Sequence, residues 1–201
     1  MSDRNPQAVP VVVLAAGGAT RCPGGKVARE FAGRPLVCWL LKTLQESPLI
    51  SSVVLVCGFQ SDSVVSAAEP FEKVQTVINP SWSDGLASSL RTGISTVAKD
   101  CPGALVCLAD TPLFRPETLQ TVVPKDNPDL IVLPIFRDRP GHPKYFPKWL
   151  FPELLDLEGD EGARSILQRH KEKTRTVEVD DPGISLDFDI PDDFSLTWPH
   201  P

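Results

Sequence analysis

Short β-branched or wholly apolar runs alternate along this chain with stretches in which apolar residues recur at helical spacing, and that alternation narrows the fold more than any other feature. Val11 to Ala15 runs straight into glycines and predicts a buried strand. Pro35 then opens a segment with Leu36, Trp39, Leu40 and Leu44 on one helical face. Further strands are predicted over Val53 to Cys57, Val74 to Ile78, Ala104 to Leu108, Leu130 to Leu133 and Thr174 to Val179, with another at HPKYF after the turn RDRPG. Helices are predicted over Asp62 to Glu69, Leu86 to Lys99, Pro116 to Val123, Phe151 to Leu157 and Ala163 to His170. Strands separated by helical stretches of roughly 10 to 15 residues build βαβ units. The expected class is therefore α/β, a three-layer α/β/α arrangement whose mixed, mainly parallel sheet is covered on both faces. Ligands of such sheets bind beyond the carboxyl ends of the strands.

The 201 residues suit one domain, 1–201. No apolar run approaches the roughly 20 residues that cross a bilayer, and the segment MSDRNPQAVP lacks the apolar stretch of a secretory signal, so the expected compartment is the cytoplasm, away from membranes. Cys22, Cys38, Cys57, Cys101 and Cys107 include no CxxC pair and fall mostly in apolar segments, the pattern of reduced, buried thiols rather than a zinc site. A net charge of −6 with scattered basic residues argues against a nucleic-acid partner. A small polyanion remains possible where cations and free amides are concentrated.

Such a place is LAAGGATRCPGGK, Leu14 to Lys26, directly after the first strand. Consecutive amides without bulky side chains can wrap a triphosphate while Arg21 and Lys26 supply positive charge. Two common phosphate loops do not fit. GxxxxGK[ST] fails at Thr20 and Val27, and GxGxxG fails at Ala19. Asp110 stands at the carboxyl end of the Ala104 to Leu108 strand before Pro112, where a carboxylate either coordinates Mg²⁺ or caps a turn. Asp187 and Asp189 are two apart and point the same way in an extended segment, so either can supply a second carboxylate. Asp192 and Asp193 open a short helix beyond Pro191.

The loop resembles the signature LxxGxxxRxxxxK of the cytidylyl- and guanylyltransferase superfamily, which has a Rossmann-like nucleotide domain. Four later segments resemble one branch of it in order: NPSWSDGLASSLRTG is similar to NPxWxxGxxxSLxxG, LADTPLF to an acidic DxP motif, GHPKYF to a GHP segment, and GDEGAR with DFDIPDDF to GDxGAR and DxDTPED. That branch contains the molybdenum cofactor cytidylyltransferases. The chain departs from its pattern at Pro23, Ala19 and Ile190.

The resemblance implies a Mg²⁺-dependent nucleotidyltransferase. Arg21, Lys26 and Asp110 would be catalytic. The nucleotide would lie along Leu14, Ala15, Ala16, Gly17, Gly18, Lys26 and Asp110, with Asn79, Gly85, Ser88 and Ser89 at the base and ribose. Asp110 with Asp187 or Asp189 would hold the metal, and His142 and Arg164 would face the acceptor. LAAG, rather than LAGG, resembles the cytidylyl branch and favours CTP. The implied acceptor is molybdopterin, with a molybdoenzyme as receiver of the product. Alternatives are transfer to a sugar 1-phosphate or another phosphorylated small molecule, and a nucleotide-binding cofactor-maturation protein without turnover; a third, an oxidoreductase of the same fold, lacks a dinucleotide fingerprint here.

Overall fold

The computed structural model describes residues 8–17, 25–59, 61–97, 100–160 and 162–195. Ten strands and six α-helices are defined among them: β1 (Val9–Ala15), β2 (Glu30–Phe31), β3 (Arg34–Pro35), α1 (Leu36–Glu46), β4 (Ile50–Cys57), α2 (Ser61–Ala68), β5 (Val74–Ile78), α3 (Leu86–Thr96), β6 (Gly103–Leu108), α4 (Pro116–Val122), β7 (Ile131–Phe136), β8 (Arg139–Pro140), β9 (Lys144–Pro147), α5 (Phe151–Leu155), α6 (Arg164–Arg169) and β10 (Thr174–Glu178).

The main sheet has the order β10-β7-β9-β6-β1-β4-β5, with β8 paired to β7. β1 lies parallel between β4 and β6, β5 continues parallel to β4, and β10 is parallel to β7. β9 is inserted antiparallel between β6 and β7. The mixed, mainly parallel α/β sheet agrees with the expectation from sequence. The two-stranded β2–β3 hairpin, too short to give a periodic signal, was not expected.

The absence of polar alternation in β1 follows from cover on both faces. Val11, Val13 and Ala15 pack into a cluster with Val37, Leu40 and Leu44 of α1, Val64 of α2 and Leu119 of α4. Val12, Leu14 and neighbouring Ala16 pack into the opposite cluster with Leu90 and Ile94 of α3, Leu154 of α5 and Ile166 of α6. Helices α1, α2 and α4 thus cover one face and α3, α5 and α6 the other. Cys57, Cys101 and Cys107 are buried free thiols and Cys38 is half-buried, while Cys22 lies outside the described residues. Burial pushes the Cys57 thiol up to about 11. Among the described residues no helix is long and apolar enough to cross a membrane.

Two packing features set up the carboxyl edge of the sheet. Gly93 lets α3 lie directly on β1 and β4: a Cβ at this position would meet Val12 Cγ1 at 2.2 Å and Val56 Cγ2 at 3.1 Å. This close approach carries the start of α3 to the edge beside Ala16. A third apolar cluster, built on Phe31, Leu36, Leu113 and Phe188, ties the tail to the β2–β3 hairpin. Phe188 stacks edge-to-face on Phe31 at 4.9 Å and on Phe194 at 5.3 Å between ring centroids.

Gly93→Ala is expected to destabilise the protein by about 1–3 kcal/mol, because the stiff Val12 side chain in a central strand has nowhere to move. Urea denaturation checks this, and an unchanged midpoint would refute the close-approach argument.

Candidate active site

The backbone after the glycine-rich segment is pinned before it reaches α1. Val37 N donates to Val27 O at 3.0 Å, Leu36 N to Arg29 O at 2.8 Å, and Val27 is buried. Lys26 is thereby aimed across the carboxyl edge of the sheet. Its ammonium donates to Asp110 Oδ2 and, at 2.9 Å, to Asp189 Oδ1. Side-chain exposure is 15% for Lys26, 21% for Asp110 and 39% for Asp189, so the group is partly screened from water while open on one side. Burial opposes the Lys26 charge, but the pairing with Asp110 and Asp189 outweighs it and holds the amine above its ordinary pKa.

Both acids are fixed from behind. Asp110 follows β6, and its carbonyl accepts a bond from Phe188 N at 2.9 Å, so the buried Phe188 ring and this main-chain bond carry the tail to the end of β6. Asp187 and Asp189 flank Phe188 and emerge on the side facing Asp110, as their spacing predicts. Asp193 Oδ2 accepts from Asp189 N at 2.6 Å and Ile190 N at 2.8 Å, which fixes the backbone under Asp189. Asp187 Oδ1 accepts from the Thr111 hydroxyl at 2.7 Å. Burial raises the Asp187 pKa, the Thr111 bond opposes this, and repulsion from Asp110 and Asp189 adds to the rise. Three carboxylates therefore gather around Lys26, Lys144 adds a second positive charge beside Asp187, and the buried Asp110 Oδ1 has no hydrogen-bond partner among the described residues. That orphaned acceptor and the excess of carboxylate suit a hard cation, which draws on one or two carboxylates plus substrate phosphates. No group of three or more His, Cys, Asp or Glu forms a ready-made metal cage among the described residues.

A cleft of about 610 Å³ opens over this array. It is lined by Leu14, Ala15, Ala16, Gly17, Lys26 and Asp110, all expected at the nucleotide, together with Asp189. Gly85 and Ser89 line it too. Asn79 and Ser88 do not: Asn79 is 2% exposed, donates to Ser88 Oγ at 2.9 Å and Ser89 Oγ at 3.1 Å, and accepts from Ser81 N at 3.0 Å. Ser88 Oγ donates to Ser81 O and Gly85 O. Asn79 and Ser88 form a buried scaffold that shapes the loop before α3, because polar groups this enclosed must bond to their neighbours.

Gly85 (φ 104°) is required by conformation and by space, since a Cβ would meet Gly159 O at 2.4 Å. Trp82, Ser83, Leu86 and Asp160 also line the cleft, and sequence reading missed them at this site. The glycines at 159 and 162 were the available signal for a close backbone approach there. Gly18 and Arg21 lie outside the described residues.

Two expected acceptor residues take different places. Arg164 is exposed on α6 and is not among the residues lining the cleft. Arg164 forms no ion pair with Asp160 among the described residues. Asp160 Oδ1 accepts instead from Leu86 N at 3.3 Å. His142 sits on the carboxyl edge beside β6, with Nδ1 3.2 Å from Val106 O and its amide donating to Ile184 O at 2.8 Å. Burial, assisted by the charge of Lys144, lowers its pKa to about 3, so the imidazole is neutral. Lys144 was overlooked by sequence reading; burial lowers its pKa while Asp187 opposes the change.

A family profile described as the MobA-like NTP transferase domain matches residues 11–174. Nicotine blue oxidoreductase of Paenarthrobacter nicotinovorans is 28% identical over 201 residues, covering 94% of this chain and 96% of the relative. Purine catabolism protein PucB of Bacillus subtilis is 28% identical over 193 residues, covering 92% and 93%. Among solved structures, Rv0371c of Mycobacterium tuberculosis superposes with a TM-score of 0.80 at 26% identity over 94% of this chain and 97% of that one. The same protein as a complex with manganese gives 0.76 at the same identity and coverage.

His142 supplies a pH test. Its folded pKa lies below the ordinary 6.5, so the stability it contributes is present above pH 6.5 and is lost as pH falls through the window toward 3. His142→Gln has no such titration. Urea midpoints measured across that window are expected to move in the variant's favour as pH falls, and a constant gap would refute the buried neutral state.

Proposed function

The chain belongs to the family of MobA-like NTP transferase domains, and from that membership we propose that it transfers CMP from CTP to a phosphorylated small-molecule acceptor in the cytoplasm, releasing pyrophosphate. The observation that carries this reading is the Lys26 ammonium set between Asp110 and Asp189 on the wall of a cleft that the glycine-rich strand end also lines. Molybdopterin is the acceptor we favour, with a molybdoenzyme receiving the product, on the strength of the GHPKYF and GDEGAR segments.

An oxygen of the acceptor phosphate attacks the α-phosphorus, and the bond from that phosphorus to the bridging oxygen of the β-phosphate breaks in line, so pyrophosphate leaves with the electron pair. The protein binds and orients. Amides of the segment from Leu14 to Gly17 lie along the nucleotide, and Lys26 turns from its carboxylates to the phosphates, where charge grows in the transition state. His142, neutral, serves the acceptor as a hydrogen-bonding group rather than a cation. Asp110, with Asp189 or Asp187, would hold Mg²⁺, which supplies charge neutralisation on the phosphate oxygens. The orphaned Asp110 Oδ1 and the manganese-bound state of Rv0371c support that assignment.

A second reading, a redox enzyme, draws on the full-length similarity to nicotine blue oxidoreductase. The two differ in product. Incubation with CTP, Mg²⁺ and molybdopterin is expected to release pyrophosphate, and chelation with EDTA to abolish that release. Turnover of a redox substrate, with no pyrophosphate formed, would favour the redox enzyme. Lys26→Ala is expected to lower turnover by at least about 10²- to 10³-fold, the usual cost of removing one preorganised electrostatic contact. Near-normal turnover of that variant would refute its role.

A further inference from the structure

We infer that Asp160 selects the base, accepting a hydrogen bond from an exocyclic amine so that the cleft takes cytosine in preference to uracil. This rests on the reading of the cleft as a nucleotide site. The sequence pattern had placed GDEGAR with the acceptor, yet the fold carries Asp160 into the cleft beside Gly85, Leu86 and Ser89.

Its position there is held twice. Ala87 N donates to Gly159 O at 3.1 Å, and Leu86 N donates to Asp160 Oδ1 at 3.3 Å, so the 159–160 backbone is fastened to the start of α3. The fit is close because position 85 has no side chain: a Cβ there would stand 2.7 Å from Asp160 Oδ1. One carboxylate oxygen is thus engaged with the helix. The other has no hydrogen-bond partner among the described residues and remains an acceptor for a ligand.

A carboxylate can only accept, so it favours a group that carries N–H and repels a carbonyl oxygen. Cytosine and uracil have the same outline but differ at this point: cytosine presents an amine, uracil a carbonyl. Ser89 adds the complementary half. Its Oγ already accepts from Asn79 Nδ2 at 3.1 Å, which leaves the hydroxyl proton to donate to the ring nitrogen next to the amine-bearing carbon. In uracil that ring nitrogen carries a proton and would meet a donor. A site built to bond a polar group discriminates strongly against the analogue lacking it, because its own polar atoms are then left unpaired.

The test is equilibrium binding of CTP and UTP, each with Mg²⁺, to the full chain and to Asp160→Ala and Asp160→Asn. The wild type is expected to bind CTP on the order of 10- to 100-fold more tightly, the range of one hydrogen bond to a charged group. Asp160→Ala should bring the ratio close to one. Asp160→Asn, which offers a donor to the uracil carbonyl, should bring it to one or below. Equal binding of CTP and UTP by the wild type would overturn the inference and leave nucleotide binding intact. A wild-type ratio in both variants, even with a lowered melting temperature, would reduce Asp160 to a helix cap and overturn it equally. Failure of the wild type to bind either triphosphate would remove the nucleotide reading itself.

Discussion

One ammonium held between carboxylates organises the carboxyl edge of this protein. Lys26, Asp110 and Asp189 come from three separate segments, and bringing acids together in a half-buried place is unfavourable unless a cation joins them. The lysine supplies that cation. Its amine sits above its ordinary pKa because attraction to the acids exceeds the cost of burial. Asp187, one position before the shared aromatic anchor, shows the opposite balance, since burial and two acidic neighbours outweigh the Thr111 bond. Lys26 compensates the carboxylates in part, and Lys144 adds a second positive charge beside Asp187.

The rest of the fold serves to place that array opposite the start of α3. An all-apolar β1 needs helices on both faces, and the bare surface of Gly93 lets α3 settle onto it. The insertion of β9 against the sheet direction brings His142 and Lys144 to the same edge as Asp110. Segments remote in sequence, at residues 14–17, 26–27, 82–89, 110, 159–160 and 187–189, converge there.

Much of this was legible in the residues. The valine run of β1 and the helical spacing of α1 announced themselves, because burial on two faces and burial on one stripe leave different periodicities. Lys26, Asp110 and the 187/189 pair were also readable, since a turn after a strand and an alternation about Phe188 fix where side chains point. What the residues concealed was partnership across space. Asn79 and Ser88 look like base readers in a string of letters, yet in the folded chain they bond to each other. Nothing local in the sequence around Asp160 points to its actual neighbour, the amide of Leu86, 74 positions back. The two-residue strands β2 and β3 left no period to detect, though the cluster they form with Phe188 positions the acids.

The anchoring of the tail has a bearing on how the protein is made. Asp189 reaches Lys26 across 163 positions of sequence, and it does so on a segment that docks through Phe188 onto a hairpin formed near the opposite end of the chain. The sheet and its helices are laid down by contacts that precede this docking in sequence, so Asp189 joins Lys26 and Asp110 only after the docking of Phe188. A polypeptide cut ahead of Phe188 would carry the lysine with Asp110 but without this second counter-charge. Competence at this edge is therefore a report on whether the segment around Phe188 has been gathered in.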